Sequence, residues 1–239
     1  MMSQKKYTGF NMKLKCLELW SGDSTFSAGA ITHYRDEAEL TTIDIDPIFQ
    51  PTICKDILDV SLTEIREAMN LDPGERPFFI WATPDCSVYS VAGFGHGHYK
   101  DGVPNSAKAD YMQQRHIYTL YLIEELNPLY FVIENPRGLL RKMPWMQRLP
   151  RETVTYCQYG DFRMKPTDLW GRFPASWVPR PMCKNGELCH ESSPRGAMKG
   201  TSKLTPRERS HVPYELSEEI WQCAIMDEGA SRKSLEAFI

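Results

Sequence analysis

Several features common in membrane and secreted proteins are missing from the sequence. No apolar run reaches the length that crosses a membrane, and no stretch has the pattern of a signal peptide. The seven cysteines are odd in number and scattered, so they do not suggest a set of disulfides. A chain of 239 residues can bury an adequate hydrophobic core without such cross-links. We therefore expect a reduced, intracellular and soluble protein.

The sequence also lacks internal repeats and the spacing G-x-G-x-x-G, so a dinucleotide site is not indicated. Its net charge of −3 conceals a strong division along the chain. Residues 1–136 carry 11 Lys and Arg against 19 Asp and Glu, residues 137–213 carry 15 against 6, and residues 214–239 carry 2 against 6. A basic third in an otherwise acidic chain is typical of a face that contacts phosphates, although a solvated loop region with incidental charge has the same composition.

Apolar runs of strand length recur at regular intervals, and most are continuous, as in strands that are buried on both faces. They cover residues 14–20, 40–45, 52–57, 77–84, 129–136 and 153–159. Helical patterns lie between several of them, at 62–71 and 110–126. The alternation predicts a doubly wound α/β domain that binds its ligands at the carboxyl ends of the strands.

The periodicity disappears from Arg172 onwards. Residues 172–213 hold six prolines together with several glycines and basic residues, which predicts irregular structure. A last helix fits residues 214–226, and the final dozen residues are expected to fray.

The ends of the first three strands carry residues suited to a nucleotide. Ser21 and Gly22 form a turn that lets a ligand approach the backbone and the amino end of a following helix. Asp44 ends the second strand, where a carboxylate can bind a ribose diol, and Asp56 ends the third, where it can accept from an adenine amino group. Each acid alone is more often a solvated or capping carboxylate, but together they favour a cofactor that contains adenosine.

Seven motifs follow one another in an order that resembles DNA cytosine-5 methyltransferases, most of all the short members found in phages and prophages. They are "LWSGDSTFSAG" (19–29), "IDID" (43–46), "KDIL" (55–58), "PDCSVYS" (84–90), "IENP" (133–136), "QYGDFRMKPTDLWG" (158–171) and "LTPRERSHVPYEL" (204–216). The resemblance runs from about residue 14 to residue 220. It implies the Rossmann-like fold of S-adenosylmethionine-dependent methyltransferases.

The resemblance also implies a reaction, the methylation of cytosine C5. Cys86 would add to C6 of the base, so that C5 becomes an enamine carbon able to attack the sulfonium methyl of S-adenosylmethionine. Glu134 would protonate or hydrogen-bond ring atom N3. A small core cysteine and a helix-capping glutamate are the structural alternatives. The implied cofactor-binding residues are Trp20, Ser21, Gly22, Asp44, Asp56 and Pro84, with Trp20 stacking on adenine where the family usually has Phe.

Three departures from the family pattern stand out. Asp85 replaces the proline that usually precedes the cysteine, and a carboxylate facing the thiol of Cys86 would raise its pKa. The family's Gln-x-Arg-x-Arg pattern falls on Arg163, Lys165 and Thr167, so one guanidinium is lost and Arg163 or Lys165 must hold the base. The recognition region is also unusually short. We therefore expect a catalytic and cofactor-binding domain over 1–172, a minimal recognition insert over 173–203, and a C-terminal segment over 204–239 that packs back on the catalytic domain.

The insert contains "CKNGELCH", which provides Cys183, Cys189 and His190, while Cys157 and His211 lie elsewhere. Thiolates and an imidazole could bind zinc and hold together a loop too small to fold alone. The spacing is not a C-x-x-C pair, and the resemblance supplies no metal. Our prediction is therefore no metal, and a loop with two free cysteines.

The expected substrate is double-stranded DNA with the target cytosine flipped out of the stack. Residues 93–108 are predicted to form a mobile loop that closes over the base, with His96 and His98 contacting backbone or base. Phosphate contacts are expected from the basic region, namely Arg137, Arg141, Lys142, Arg163, Lys165 and Arg172. RNA or single-stranded nucleic acid is the alternative substrate, and a binding protein without turnover is the alternative class. The resemblance places the protein in the cytoplasm of a bacterial or phage-infected cell, without a membrane partner.

Overall fold

The computed structural model describes residues 13–23, 38–91, 96–191 and 204–236. Within these ranges the strands are β1 Leu14–Leu19, β2 Ala38–Asp44, β3 Ile53–Cys54, β4 Phe79–Ala82, β5 Tyr99–Lys100, β6 Val103–Pro104, β7 Tyr130–Pro136, β8 Arg151–Thr155 and β9 Pro166–Arg172. The α-helices are Leu62–Ala68, Ala107–Leu126, Pro144–Gln147, Pro206–Ser210 and Tyr214–Glu236. Short 3-10 turns cover Pro47–Phe49, Ile57–Asp59, Leu139–Lys142 and Tyr156–Tyr159.

Seven of these strands form one sheet in the order β3-β2-β1-β4-β7-β9-β8. The pairs from β3 to β7 are parallel, while β9 runs antiparallel to both β7 and β8. This strand order, with its one reversed strand, confirms the predicted Rossmann-like, doubly wound fold of the S-adenosylmethionine-dependent methyltransferase type. The carboxyl ends of β1, β2, β4 and β7 therefore lie along one edge of the sheet.

Side chains that alternate along the central strands enter two separate hydrophobic cores. Leu17 and Ile80 point into a core that the helix Ala107–Leu126 covers, whereas Cys16 and Trp81 point into a core that the helix Tyr214–Glu236 covers. Because both faces are buried, the strands read as continuous apolar runs. No helix in the described part of the chain is both long and apolar enough to span a bilayer.

The structure differs from the sequence prediction at several elements. The predicted strands over 52–57 and 153–159 are shorter, ending at Cys54 and Thr155, and the segment predicted as irregular contains the helix Pro206–Ser210. The last helix continues to Glu236, ten residues past its predicted end at 226. Strand β9 was not predicted, although its motif was singled out. The segment expected as a mobile loop contains the hairpin β5–β6, which Tyr99 ties to the core through a hydrogen bond of 2.7 Å to the hydroxyl of Tyr89. Residues 92–95, and the expected helix after Gly22, lie outside the described residues.

Candidate active site

A cleft of about 1640 Å³ opens at the carboxyl edge of the sheet. One end is formed by the turn after β1 and the end of β2, and the other by the loop after β4, the end of β7 and the segment before β9. The residues that line these two ends include Trp20, Ser21, Gly22, Asp44, Pro84, Cys86, Glu134, Arg163 and Lys165. Nine of the ten site residues predicted from the sequence therefore border one cavity.

The loop after β4 carries Cys86 into the cleft. Its start is fixed to β1, because the backbone N–H of Thr83 donates to Leu19 O over 3.2 Å. Cys86 then opens a tight turn in which the N–H groups of Tyr89 and Ser90 both donate to its carbonyl. Asp85 caps this turn, since its Oδ1 accepts from the N–H of Ser87 at 2.6 Å.

Glu134 lies on β7, the neighbour of β4 in the sheet, and only 4% of its surface is exposed. Its Oε1 accepts a hydrogen bond of 2.5 Å from the hydroxyl of Tyr156. The next residue, Asn135, donates to the carbonyl of Pro84 over 2.8 Å. The strand that carries the carboxylate is thus bonded directly to the loop that carries the thiol, which fixes the two groups relative to each other.

The two cations expected at the base have different surroundings. The guanidinium of Arg163 forms a bidentate pair with Asp161 and also donates to the carbonyls of Glu208 and Arg209 at 3.1 and 3.2 Å. Lys165 lies with its Nζ 3.8 Å from Glu134 Oε1 and 3.0 Å from the carbonyl of Arg209. The guanidinium of Arg163 therefore binds other groups of the protein and stabilises the fold. Lys165 is the cation beside the buried carboxylate of Glu134.

The surroundings of Cys86 oppose its ionisation. Burial, followed by the charges of Glu134 and Asp85, raises the pKa of the thiol to about 11, while Lys165 acts in the opposite direction. The sequence prediction that Asp85 would raise this pKa if it faced the same pocket is consistent with this direction. This pKa favours the thiol form at neutral pH, and loss of the charge on either carboxylate would lower it, although burial contributes most to the shift.

The other end of the cleft has the features of a nucleotide pocket. Gly22 adopts a positive φ of 49°, and its N–H donates to Asp44 Oδ2 over 2.9 Å. Asp44 Oδ1 accepts from the N–H of Asp46. The hydroxyl of Ser21 is buried and has no partner within the described chain. A polar ligand atom at this point would satisfy it.

Trp20 borders the cleft but is also part of the core. Its indole N–H donates to Thr119 over 3.0 Å, and the guanidinium of Arg115 lies 4.0 Å from its ring centroid. One face of the indole is thus occupied by a cation. The predicted stacking on adenine has to use the remaining surface of the ring.

Asp56 is not brought to the cleft. Its carboxylate accepts from the N–H of Leu58 at 3.0 Å, pairs with Arg115 at 3.1 Å and accepts from the hydroxyl of Tyr111. Although burial raises its pKa, the hydrogen bonds from Tyr111 and Leu58 and the charge of Arg115 outweigh it and lower the pKa. The structure therefore assigns Asp56 to capping and to an ion pair, and its position does not support the predicted contact with adenine.

Three further residues connect the turn after β1 to the helix Pro206–Ser210 and were not predicted from the sequence. Asp23 accepts from Arg207 Nε at 2.7 Å and contacts His211 Nε2 at 2.9 Å. The helix itself begins with a capping box in which Thr205 and Glu208 bond to each other's backbone N–H. The spacing T-x-x-E is a sequence signal for this capping box. Nothing in the sequence links Asp23 to Arg207, which lies 184 residues away.

The solved structures that are similar to this chain include a distant one. A crystal structure of the S. pombe Dnmt2 methyltransferase is similar to the chain with a TM-score of 0.46 and 17% identity, over 69% of this chain and 53% of that one. The chain thus spans about half the length of that protein. No protein-family model and no curated protein matches the sequence.

Proposed function

We propose that the protein is an S-adenosylmethionine-dependent methyltransferase that methylates C5 of a flipped cytosine in double-stranded DNA. The observation that supports this most is the placement of Cys86 and Glu134 on adjacent, hydrogen-bonded strand ends, beside Lys165 and in the same cleft as the turn Ser21–Gly22. A thiol, a buried carboxylate and a cation are the groups that addition to a pyrimidine requires.

Cys86 and Glu134 are suited to act as a coupled pair. When Glu134 carries a proton, its charge no longer opposes ionisation of Cys86, so a protonated acid and a thiolate favour each other. The hydroxyl of Tyr156 donates to Oε1 of Glu134, and the ammonium of Lys165 lies 3.8 Å from the same oxygen, so we place the proton on Oε2. In this state the carboxyl group donates to N3 of cytosine while the thiolate adds to C6.

Lys165 supplies the positive charge that the missing arginine of the family pattern would provide. Its charge lowers the pKa of Cys86 and balances the charge of Glu134. Lys165 cannot form the planar fork of an arginine, so it acts on the base as a single ammonium donor. After methyl transfer a base removes the proton from C5, and the bond between Cys86 and C6 breaks with its electron pair returning to the sulfur. N3 returns its proton to Glu134, which restores the starting state.

The residues at the other end of the cleft fit the cofactor. The unpartnered hydroxyl of Ser21 and the open backbone at Gly22 can receive polar atoms, and Asp44 can accept from a ribose diol with its remaining lone pairs. S-adenosylmethionine, when bound, supplies the electrophilic methyl group. Pro84 lies between this end and Cys86 and shapes the passage between them.

DNA as the substrate is supported by cations along the cleft. Lys108, Arg207 and Arg209 line it together with Lys165, and all but Lys165 expose their side chains. Such a rim suits a polyanion whose target base enters the cleft.

The test is a covalent trap with oligonucleotides that contain 5-fluorocytosine in randomised flanking sequence. We expect a stable adduct with the wild type in the presence of S-adenosylmethionine, and none with Cys86→Ser. The variant Cys54→Ser is the matched control, because Cys54 is exposed on β3. An adduct that survives in Cys86→Ser would refute the nucleophile.

The same trap separates the substrates when it is run on duplex DNA, single-stranded DNA and RNA. Preference for duplex DNA by at least tenfold is expected. Stronger labelling of RNA or of single strands would replace the proposed substrate, and absence of any adduct despite cofactor binding would favour a binding protein without turnover.

A further inference from the structure

Four side chains that can ligate a metal converge beside the cleft: Cys157, Cys183, Cys189 and His190. Their ligand atoms all lie within 4.8 Å of one another. Cys183 Sγ is 3.2 Å from Cys189 Sγ and 3.4 Å from His190 Nδ1, and Cys189 Sγ is 3.6 Å from the same nitrogen. Two sulfurs bound to one zinc at about 2.3 Å each lie about 3.8 Å apart, so the cluster has the size of one tetrahedral coordination sphere.

The four ligands come from two parts of the chain. Cys157 belongs to the turn Tyr156–Tyr159, which is buried in the core under the helix Tyr214–Glu236. The other three belong to residues 183–190, which contain no helix or strand. His211, considered together with them in the sequence, is bound to Asp23 instead.

The surroundings keep the cluster in place. The N–H of Cys183 donates to the hydroxyl of Thr155 over 2.9 Å, and the N–H of Glu191 donates to Phe162 O over 2.9 Å. Gln158 Nε2 lies 3.5 Å from Cys189 Sγ, where it can donate to a thiolate. Outer contacts of this kind orient the ligands of metal sites.

We propose that Cys157, Cys183, Cys189 and His190 bind one structural zinc ion. Three thiolates and one imidazole suit Zn²⁺ among the divalent metals, and four protein ligands leave no open position for catalysis. Binding releases the protons of the thiols. This proposal replaces the sequence prediction of two free cysteines, and it does not depend on the proposed methyl transfer.

The zinc ion would fix a wall of the cleft. Asn185, Gly186, His190 and Glu191 line the cavity, although their segment has no regular hydrogen-bonded structure of its own. A metal bridge to Cys157 ties this segment to the sheet and closes a loop across 25 intervening residues. The short insert thereby gains a defined shape that its few buried residues cannot impose alone.

The first test measures the metal in the full chain, purified under reducing conditions without chelator. We expect about one zinc per chain in the wild type, and loss of at least fivefold in Cys189→Ser and in His190→Ala. Cys54→Ser and Cys223→Ser, which alter cysteines outside the cluster, should keep the wild-type content. Because Cys189 is exposed, its substitution does not disturb the core.

Reconstitution with Co²⁺ supplies a spectroscopic signature. Tetrahedral thiolate ligation should give visible ligand-field bands and a near-ultraviolet charge-transfer band, and both should be largely lost in Cys189→Ser, in line with its loss of zinc. Zinc below a tenth of an equivalent together with absent cobalt bands would refute the site. So would a Cys183–Cys189 disulfide in the purified chain, identified by a cross-linked peptide in a non-reducing digest.

Limited trypsin digestion tests the effect on the loop. Removal of the metal by a chelator should speed cleavage after Lys184, an exposed residue next to Cys183, by at least tenfold, and added zinc should reverse the effect. Cleavage after Arg148, which is exposed outside the insert, serves as the internal control. Equal cleavage after Lys184 with and without metal would contradict the proposed role in fixing the wall.

Discussion

At the scale of single residues, Asp85 has two effects on the cleft. Its carboxylate caps the turn that positions Cys86, through the N–H of Ser87, and its charge raises the pKa of the thiol. The capping contact needs only an acceptor oxygen, whereas the pKa effect needs the negative charge. The two effects can therefore be separated by one substitution.

Asp85→Asn should keep the capping bond and remove the charge. We expect the pKa of Cys86, about 11 in the wild type, to fall, so that alkylation of Cys86 by iodoacetamide at pH 8 becomes roughly three- to tenfold faster. In the wild type the rate should rise about tenfold per pH unit up to that pKa, because only the thiolate reacts. Peptide mass spectrometry over pH 6–11 gives both curves.

Glu39→Gln is the control for this experiment, because Glu39 is exposed on β2 and does not line the cleft. Methyl transfer by Asp85→Asn, and by Asp85→Pro, should be retained or increased. A large loss in both variants with unchanged alkylation would mean that the carboxylate contacts the substrate.

At the scale of elements, the reversed direction of strand β9 determines which of its neighbouring residues lie at the edge of the sheet that borders the cleft. The parallel strands deliver residues that follow them, such as Cys86 after β4, whereas β9 delivers Lys165, which precedes it. Arg163, two residues earlier, clamps the same segment to the helix Pro206–Ser210. The position of Lys165 thus depends on a joint between two elements that are distant in sequence.

Removing the contacts of Arg163 should lower the free energy of unfolding more than removing a surface ion pair. Arg163→Gln leaves Asp161 buried without its cation, since their side chains are 8% and 10% exposed, and should lower the free energy of unfolding by about 3 kcal/mol. Arg148→Gln breaks the pair with Glu124, whose side chains are 53% and 52% exposed, and should cost less than about 1 kcal/mol. Urea unfolding of both variants measures the difference; equal losses would contradict the clamp.

Some of these features could be predicted from the sequence, and others could not. Buried parallel strands and the convergence of Cys86 and Glu134 were predictable, because strand ends in a doubly wound sheet meet at one edge. The role of Asp56 was not, since its partners Arg115 and Tyr111 lie 59 and 55 residues away on a helix whose rotation the sequence does not specify. The sequence grouped Cys183, Cys189 and His190, but it did not show that Cys157 rather than His211 lies beside them, because that contact forms only through tertiary structure.

At the scale of the whole molecule, the positive charge is concentrated in one region of the sequence, and part of it lies at the cleft, where it can attract a polyanion. The net charge of residues 137–213 is positive, while the regions before and after are negative, and Arg207 and Arg209 bring part of the positive charge to the cleft. Long-range attraction of this kind weakens as salt screens it.

Binding of duplex DNA should therefore depend steeply on salt. We expect Arg209→Gln to weaken binding at low salt and to reduce the slope of log K against log salt by about 1. Lys13→Gln, at the exposed start of β1, should leave the slope unchanged. Fluorescence anisotropy at 50–300 mM salt supplies the slopes, and identical slopes for both variants would place the DNA elsewhere.

The position of Trp20 has a consequence for spectroscopy. Among the described residues it is the only tryptophan that lines the cleft, and its ring is held by Thr119 and Arg115. A ligand that fills this end excludes water from the exposed part of the indole, whereas tryptophans such as Trp81, Trp170 and Trp221 are already buried. The protein therefore has an intrinsic fluorophore at the end of the cleft that we propose to bind the cofactor, and occupancy there can be measured as a change in emission without any label.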